Sequence, residues 1–568
     1  MRLINTRTGL FEEFIGGNIP KYAILSHTWE EEGEVSFTAM SDPFSNYKNK
    51  RGYRKIDMTC RIASQAGLSY AWVDTCCIDK SSSAELTEAI NSMYRWYQRS
   101  TICYAFLSDL PPASSLETAL KGCRWFERGW TLQELIAPDE IYFFDRDWNY
   151  IGTKRGLVED LSNITGISTS VLQHIQLLSS VAVAQRLSWA AYRDTTRIED
   201  KAYSLLGIFD VNMPLLYGEE KKAFRRLQEE IIRSTADFSI FAWRMPSDTR
   251  NTKGPDDRVF CGILAEAPID FASCASFVTK PNHGRREFSV SNIGVKTQVQ
   301  ILYEPIPGKH AARYVLPLTC SSTPQQSLGV RLRKCGPDQF IREDPWTLVE
   351  YTEQLFPNAP RERYLLTELP ETNLHPDSDM CLIIAQTRSH VLQIRLPAEM
   401  EIYDAWPWGR FDDEDQLFFV SGDSRWDSGS LRLSMNLTTH VGQRKTKVDL
   451  ECMFYALGWS SLALSSLQCT LVDYRSITTQ LNEAQSHVAA WDPDRHQVLE
   501  ILMYHKIPRS SFASWIIPGT KTSALVSFTP TLMSDPSICQ NMFWRIEFSC
   551  NLCETDGLSR IQHENWIF

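Results

Sequence analysis

The 568-residue sequence predicts an α/β protein: an N-terminal three-layer domain around a parallel sheet, a helical extension, and a β-rich, sandwich-like C-terminal region. Three observations carry that reading. Short apolar runs alternate with helix-period segments through the first 155 residues, the rhythm of strands joined by crossover helices. From Leu157 to Ser239 the periodicity becomes helical throughout. Beyond residue 255 it fades, and β-rich apolar runs recur between clusters of Pro, Gly, Asn and Asp.

The elements follow in order. Tyr22-Ala23-Ile24-Leu25-Ser26 is an apolar run ending in a polar residue, as expected of a buried strand that delivers its C-terminal end to a surface crevice. A helix follows from Lys55 to Gly67, with Ile56, Cys60, Ala63 and Ala66 at three- and four-residue spacing and Gly67 as its stop. Tyr70-Ala71-Trp72-Val73-Asp74 reads as a second strand closing on an acid. After the Ser81–Ser83 turn, Leu86, Ile90, Met93 and Tyr97 mark one face of a helix from Glu85 to Arg99. Its first turn carries Glu85 and Glu88, favourable charges at a helix N-terminus. A third strand, Ile102–Leu107, is stopped by Ser108-Asp109 and Pro111-Pro112, and a helix at Trp130–Ile136 leads into a fourth strand, Ile141–Phe144. In such a sheet, ligands sit beyond the carboxyl ends of the strands.

In the helical extension the clearest helix runs from Glu219 to Arg233, with Phe224, Leu227 and Ile231 as its apolar stripe. Strands are expected at Phe288–Val290, Val295–Leu302, Tyr314–Leu318, Leu328–Leu332, Leu382–Ala385, Val391–Leu396, Gln416–Val420, Val448–Tyr455 and Leu467–Tyr474. That spacing fits one or two antiparallel sandwiches. The division expected is therefore 1–155, 156–250 and 251–568.

Composition narrows the function. The chain is 43% hydrophobic and 22% charged, an ordinary globular balance. With 58 Lys+Arg against 69 Asp+Glu its net charge is −11, the wrong sign for gripping phosphate backbones over a broad surface, so nucleic acid is not expected as a partner. Met1–Gly9 lacks the apolar core of a secretory signal, and no run reaches the ~18 apolar residues of a membrane span, so a cytoplasmic protein without a membrane span is expected. Fifteen irregularly spaced cysteines then read as reduced thiols, mostly small buried side chains.

Three stretches stand in order: Tyr22-Ala-Ile-Leu-Ser-His-Thr-Trp29, Trp72-Val-Asp-Thr-Cys-Cys-Ile-Asp79, and Arg128-Gly-Trp-Thr-Leu-Gln-Glu-Leu-Ile-Ala-Pro138. They are joined by Arg197-Ile-Glu-Asp-Lys-Ala-Tyr-Ser-Leu-Leu-Gly-Ile-Phe209, Leu216-Tyr-Gly-Glu219, Phe224-Arg-Arg-Leu-Gln-Glu-Glu230 and Ser239-Ile-Phe-Ala-Trp243. Together they resemble the heterokaryon incompatibility (HET) domain of filamentous fungi across nearly all of the first 245 residues. The resemblance implies an effector in fungal non-self recognition, which triggers growth arrest and death of fused cells and acts with itself or another incompatibility protein. Many relatives add a nucleotide-binding oligomerisation module and repeats. This sequence has no Gly-x-x-x-x-Gly-Lys-Ser/Thr loop and no repeat array.

The same region resembles TIR domains more distantly. Trp130-Thr-Leu-Gln-Glu134 matches their Trp-Cys-x-x-Glu helix in spacing, with Thr131 in place of the Cys. That resemblance implies Glu134 as the catalytic residue for cleaving the nicotinamide–ribose bond of NAD, a nucleotide substrate, with no cofactor required. The chemistry suits one carboxylate, because bond breaking passes through an oxocarbenium-like centre. On a helix, Trp130 and Glu134 would share a face, an aromatic plate beside an acid. The plainer reading makes Trp130 core and pairs Glu134 with Arg128 or Arg124.

Ser26, His27 and Trp29 follow the first strand, Asp74, Cys76 and Asp79 follow the second, and Arg128 and Trp130 open the Glu134 helix. All are candidate substrate-binding residues at one sheet edge, although Ser and Asp also cap and close turns routinely. Cys76 or Cys77 with His27 has the residue types of a thiol nucleophile and base, against the commoner buried thiol. Cys550 and Cys553 have zinc-knuckle spacing with Cys539 before and His563 after, but one unmatched pair is a weak metal signal and no metal is assigned. Arg197, Glu199, Asp200 and Lys201 read first as a solvated helix start, with a phosphate contact or an interface as the alternative. The competing function is a non-catalytic assembly module in which Glu134 only holds its helix.

Overall fold

The computed structural model describes residues 1–16, 18–30, 33–112, 119–246, 260–279, 287–305, 312–318, 320–321, 323, 327–336, 338–351, 361–368, 391–397, 400–406, 411–412, 416–419, 426–438, 445–457, 467–473, 512–516, 522–533 and 543–554. Two compact units result: Met1–Tyr303 with Tyr314–Leu332 and Ile341–Leu369, and the remaining residues.

The first unit is α/β. Its N-terminal sheet contains β1 (Arg2–Asn5), β2 (Phe11–Glu13), β3 (Tyr22–His27), β4 (Tyr70–Trp72), β5 (Ile102–Phe106), β6 (Ile141–Phe144) and β7 (Tyr150–Thr153), in the order β2-β1-β4-β3-β5-β6-β7. The four strands expected from the sequence form its parallel centre, with Ala23 opposite Ala71 on one side and Ile102 on the other. All six residues of β3 are buried, which is why that strand reads as a continuous apolar run. β1 and β2 extend one edge and β7 the other, all antiparallel. These edge strands have three or four residues each, too few to show a period, and the burial of Leu3 and Ile4 against the sheet holds the first in place. From β3 the chain goes first to β4 on one side and then to β5 on the other. The order therefore reverses beside β3, whose carboxyl end, with that of β4, delivers His27 and Asp74 to one edge of the sheet.

Helix α1 (Tyr53–Gln65) buries Ile56, Cys60 and Ala63 and is followed by Gly67 at φ +76°, a left-handed stop. Val73 does not continue β4: the chain turns into a single helical turn, α2 (Asp74–Cys77). Helix α3 (Ser83–Arg99) begins where Ser82 Oγ accepts the Glu85 N–H at 3.3 Å, and it buries Ala89, Ile90, Met93 and Tyr97. Helix α4 (Thr131–Ile136) has all six residues buried. Helix α5 (Lys222–Ser234) buries Phe224, Leu227 and Ile231 but begins at Lys222, after the expected start at Glu219. Glu219 instead accepts hydrogen bonds from the Tyr203 hydroxyl at 2.8 Å and Arg226 Nη1 at 2.6 Å.

Residues beyond 250 complete this unit. Phe288–Val290, Gly294–Val299 and Arg361–Leu366 are successive antiparallel neighbours, and Ala312–Pro317 pairs with Leu328–Gly336. Arg342, fully buried, donates to the Phe241 carbonyl at 2.9 Å and the Trp243 carbonyl at 2.5 Å, and its guanidinium lies 3.8 Å from the Trp243 ring centroid. Trp243 Nε1 donates to the Ile263 carbonyl at 2.8 Å, and Gln228 exchanges hydrogen bonds of 2.9 Å with the Ala265 backbone.

The second unit is β-rich. One of its sheets centres on Trp426–Thr438 paired with Lys445–Leu457, flanked by Met400–Trp406 and Leu467–Asp473. The other includes Thr522–Met533 paired with Phe543–Glu554, which lies parallel to Val391–Arg395. The strand expected at Leu382–Ala385 lies outside the described residues. Among the described residues no helix is long and apolar enough to cross a membrane.

Candidate functional site

The site is built on α4, which is clamped at both ends. Gly129 precedes it because a Cβ there would lie 2.5 Å from Thr195 Cγ2, while its N–H donates to the Asp194 carbonyl at 2.8 Å. The buried guanidinium of Arg193 donates to the Arg128 carbonyl at 2.9 Å and to Thr131 Oγ1 at 3.0 Å. At the far end, buried Lys154 donates to the carbonyls of Ile136 at 3.2 Å and Pro138 at 2.8 Å, a cation where a helix C-terminus favours one.

This clamp holds Glu134 against the end of β3. Glu134 is 5% exposed, and Ser26 Oγ donates to its Oε2 at 2.5 Å. Trp125 Nε1 donates to the same Ser26 oxygen at 2.8 Å, which orients the hydroxyl towards the acid. Burial pushes the Glu134 carboxyl up to about 8, aided by the Asp74 charge and opposed by Ser26, Arg128 and Tyr97. Glu134 is therefore mostly protonated at neutral pH.

Asp74, at the start of α2, behaves in the opposite way. His27 Nε2 lies 3.0 Å from its Oδ1, and Trp29 Nε1 donates to its Oδ2 at 2.8 Å. Burial would raise this carboxyl, but the hydrogen bond and charge of His27, with Lys80 and Trp29, outweigh it and hold Asp74 at about 2. Two acids at one sheet edge are thus kept in different protonation states, an arrangement suited to divided chemical roles.

A cavity of about 350 Å³ opens beside both acids. Its wall continues with Asp200, whose Oδ2 accepts from Trp130 Nε1 at 3.3 Å and whose Oδ1 accepts from the Tyr217 hydroxyl at 3.0 Å. Burial raises the Asp200 carboxyl above its ordinary range, against the hydrogen bonds of Tyr217 and Trp130. Three cations also line it: Lys80, Arg128 and Arg197. A volume of this size with charged groups of both signs converging on it suits a polar small-molecule ligand.

The tertiary structure brings His27, Trp29, Asp74, Arg128, Trp130 and Glu134 to this cavity, with Ser26 beneath them on Glu134. Glu134 makes no ion pair within 4 Å with Arg128 or Arg124. Cys76 and Asp79 do not line the cavity. The Cys76 thiol is buried, donates to the Val73 carbonyl at 3.7 Å, and is pushed up by burial, while His27 is engaged by Asp74 rather than by sulfur. Asp79 Oδ1 accepts from the Ser81 N–H at 3.0 Å and hydroxyl at 2.6 Å, closing a turn. Cys550 and Cys553 fall within the strand Phe543–Glu554, and Cys539 and His563 lie outside the described residues. Among the described residues no group of three metal-ligating side chains converges.

Several site residues were not singled out by sequence. Trp125 and Tyr97 read as core, which they are, yet each also reaches Glu134 or its hydroxyl partner. Arg197 and Asp200 read as a charged helix start, with a phosphate contact or an interface as the alternative, and the fold places both on the cavity wall, with Asp200 on Trp130. Lys80 gave no signal beyond its place in a loop, and Tyr217 stood only within the Leu216–Glu219 stretch of the family resemblance.

Residues 22–119 match the family model described as Heterokaryon incompatibility protein (HET), and residues 222–303 match a domain of unknown function, DUF8212. The chain is 48% identical over 260 residues to the Vegetative incompatibility protein HET-E-1 of Podospora anserina. That alignment covers 44% of this chain and 19% of the relative, so the chain matches about a fifth of that protein's length. No solved structure matches the chain.

Proposed function

From the premise that the N-terminal region carries a HET domain, we propose that the protein is an effector of heterokaryon incompatibility that acts by cleaving the nicotinamide–ribose bond of NAD. The observation that carries this reading is Glu134: a buried carboxyl at the carboxyl-end edge of the parallel strands, facing a cavity of about 350 Å³. A pyridinium cation entering the cavity favours the ionised form of Glu134, since an opposite charge nearby lowers a carboxyl's pKa. The C1′–N bond then breaks with its electron pair going to the ring nitrogen, and nicotinamide leaves neutral. The carboxylate stabilises the oxocarbenium centre, water adds at C1′, and its proton is released to give ADP-ribose. Ser26, fixed by Trp125, orients Glu134, and Asp74 holds His27 and Trp29 as the wall beside it.

The test is incubation of the full chain with NAD while nicotinamide release is followed. Wild type should turn over, and Glu134→Gln should lose about 100-fold or more, the usual loss on removing a group that stabilises transition-state charge. Absence of turnover at concentrations that allow self-association would end the enzymatic reading. A Glu134→Gln chain that still kills cells would favour an assembly role instead.

A further inference from the structure

The geometry points to a diphosphate-binding subsite at the mouth of the cavity, formed by Lys80, Arg128 and Arg197, which holds the phosphates of a nucleotide whose ribose lies towards Glu134. It rests on the glycosidic reading only for the direction in which the nucleotide lies.

The argument is one of unspent charge. The carboxylates of the cavity are already satisfied by side-chain donors: Asp74 by His27 and Trp29, Asp200 by Trp130 and Tyr217. The cations have no such direct partner, although Lys80 and Arg197 lie close enough to Asp74 and Asp200 to lower those carboxyls. Lys80 Nζ sits 3.5 Å from the centroid of the Trp29 ring, and Arg128 Cζ sits 5.5 Å from the same ring. Arg197 Cζ lies 4.2 Å from the centroid of Tyr217. Among the described residues none of the three makes an ion pair within 4 Å, although ion pairs occur elsewhere on the same domain.

Two cations sharing one indole repel each other, and an anion placed with them relieves that repulsion. The aromatic rings pre-position the charges, so ligand binding does not have to order long free side chains. Lys80 and Arg197 are exposed at the surface and Arg128 is half-buried, so all three are open to an incoming anion, although surrounding protein lowers the Lys80 ammonium by desolvation. Arginine forks match phosphate oxygens in pairs, and the cations stand at two stations, over Trp29 and over Tyr217, one for each of two phosphates. With Glu134 held mostly protonated, two carboxylates face three cations, a balance that accepts an anion. An extended polyanion is a poorer fit, because the cations line a cavity of about 350 Å³ on a chain of net charge −11.

The experiment is calorimetric titration of the full chain at low ionic strength with ADP, ADP-ribose and adenosine, and competition of ADP by inorganic pyrophosphate. ADP and ADP-ribose should bind at least about 10-fold tighter than adenosine, and pyrophosphate should displace ADP from the wild-type chain. Lys80→Gln, Arg128→Gln and Arg197→Gln should each weaken ADP by about 10-fold, while Glu134→Gln leaves it within about 2-fold. Binding of ADP no tighter than adenosine, or a failure of pyrophosphate to compete, overturns the subsite without reliance on any variant's folding. ADP binding without nicotinamide release would defeat the glycosidic reading and leave the subsite standing. Turnover of NAD with an affinity indifferent to the three cations would do the reverse.

Discussion

Glu134 and Asp74 are the same functional group placed in one cavity with opposite consequences. Burial acts on both, but Asp74 has a cationic partner and two donors, whereas Glu134 has hydroxyl donors and a neighbouring negative charge. This has a measurable effect on stability. The unfolded chain releases the Glu134 proton near 4.5, while the folded chain keeps it to about 8. Between those values the unfolded state binds fewer protons, so stability falls as pH rises, by as much as about 5 kcal/mol above pH 8. Glu134→Gln removes that dependence. Denaturant melts at pH 5, 6.5 and 8 should therefore show the variant gaining on wild type as pH rises, and a constant difference would mean that Glu134 titrates as an ordinary surface carboxyl. Ser26, His27, Trp29 and Asp74 were legible in the sequence because strand ends place them at one edge, and Glu134 through the resemblance of Trp130–Glu134 to a TIR helix. Lys80 was not, because a loop residue's neighbours are set by residues far away in the chain, and Tyr217 stood only within a family motif.

At the scale of elements, the legible ones are those whose period is long enough to read. Helix α3 spans 17 residues with a clear buried face, and β3 is apolar throughout. The short turn of α2 was not legible, because Asp74 looks like the end of a strand until the chain is seen to turn at Val73. One contact between elements depends on a missing side chain. Gly207, in the short helix Leu206–Phe209, lies against α3 so closely that a Cβ would come 2.0 Å from Tyr94 Cβ. That atom is tied to the α3 backbone and cannot swing away. Gly207→Ala should lower stability by about 1–3 kcal/mol, the cost of overpacking, and reduce the melting temperature by several degrees. An unchanged melting temperature would show that the helices separate without cost.

At the scale of the molecule, the first compact unit does not end where the helical periodicity ends. Trp243, Phe241 and Gln228 take their partners from Ile263, Arg342 and Ala265, and Phe238 and Phe241 pack on Phe288 with ring centroids 4.7 and 5.9 Å apart. A fragment of residues 1–250 would leave those polar groups unpaired and those rings exposed. It should melt below the full chain and bind a hydrophobic dye, whereas a fragment that melts with the full chain would show that residues beyond 250 are dispensable to this unit.

The sequence alone determined the α/β class, the order of the parallel strands along the chain, and the acid on the helix after Arg128. These are local facts, encoded in period, propensity and spacing. Only the tertiary structure decided which strand lies beside which, which cations face the cavity, and which of two buried acids keeps its proton. Those depend on the juxtaposition of segments such as Ser26 and Glu134, 108 residues apart, and no local pattern records the dielectric and the charges that such a meeting creates.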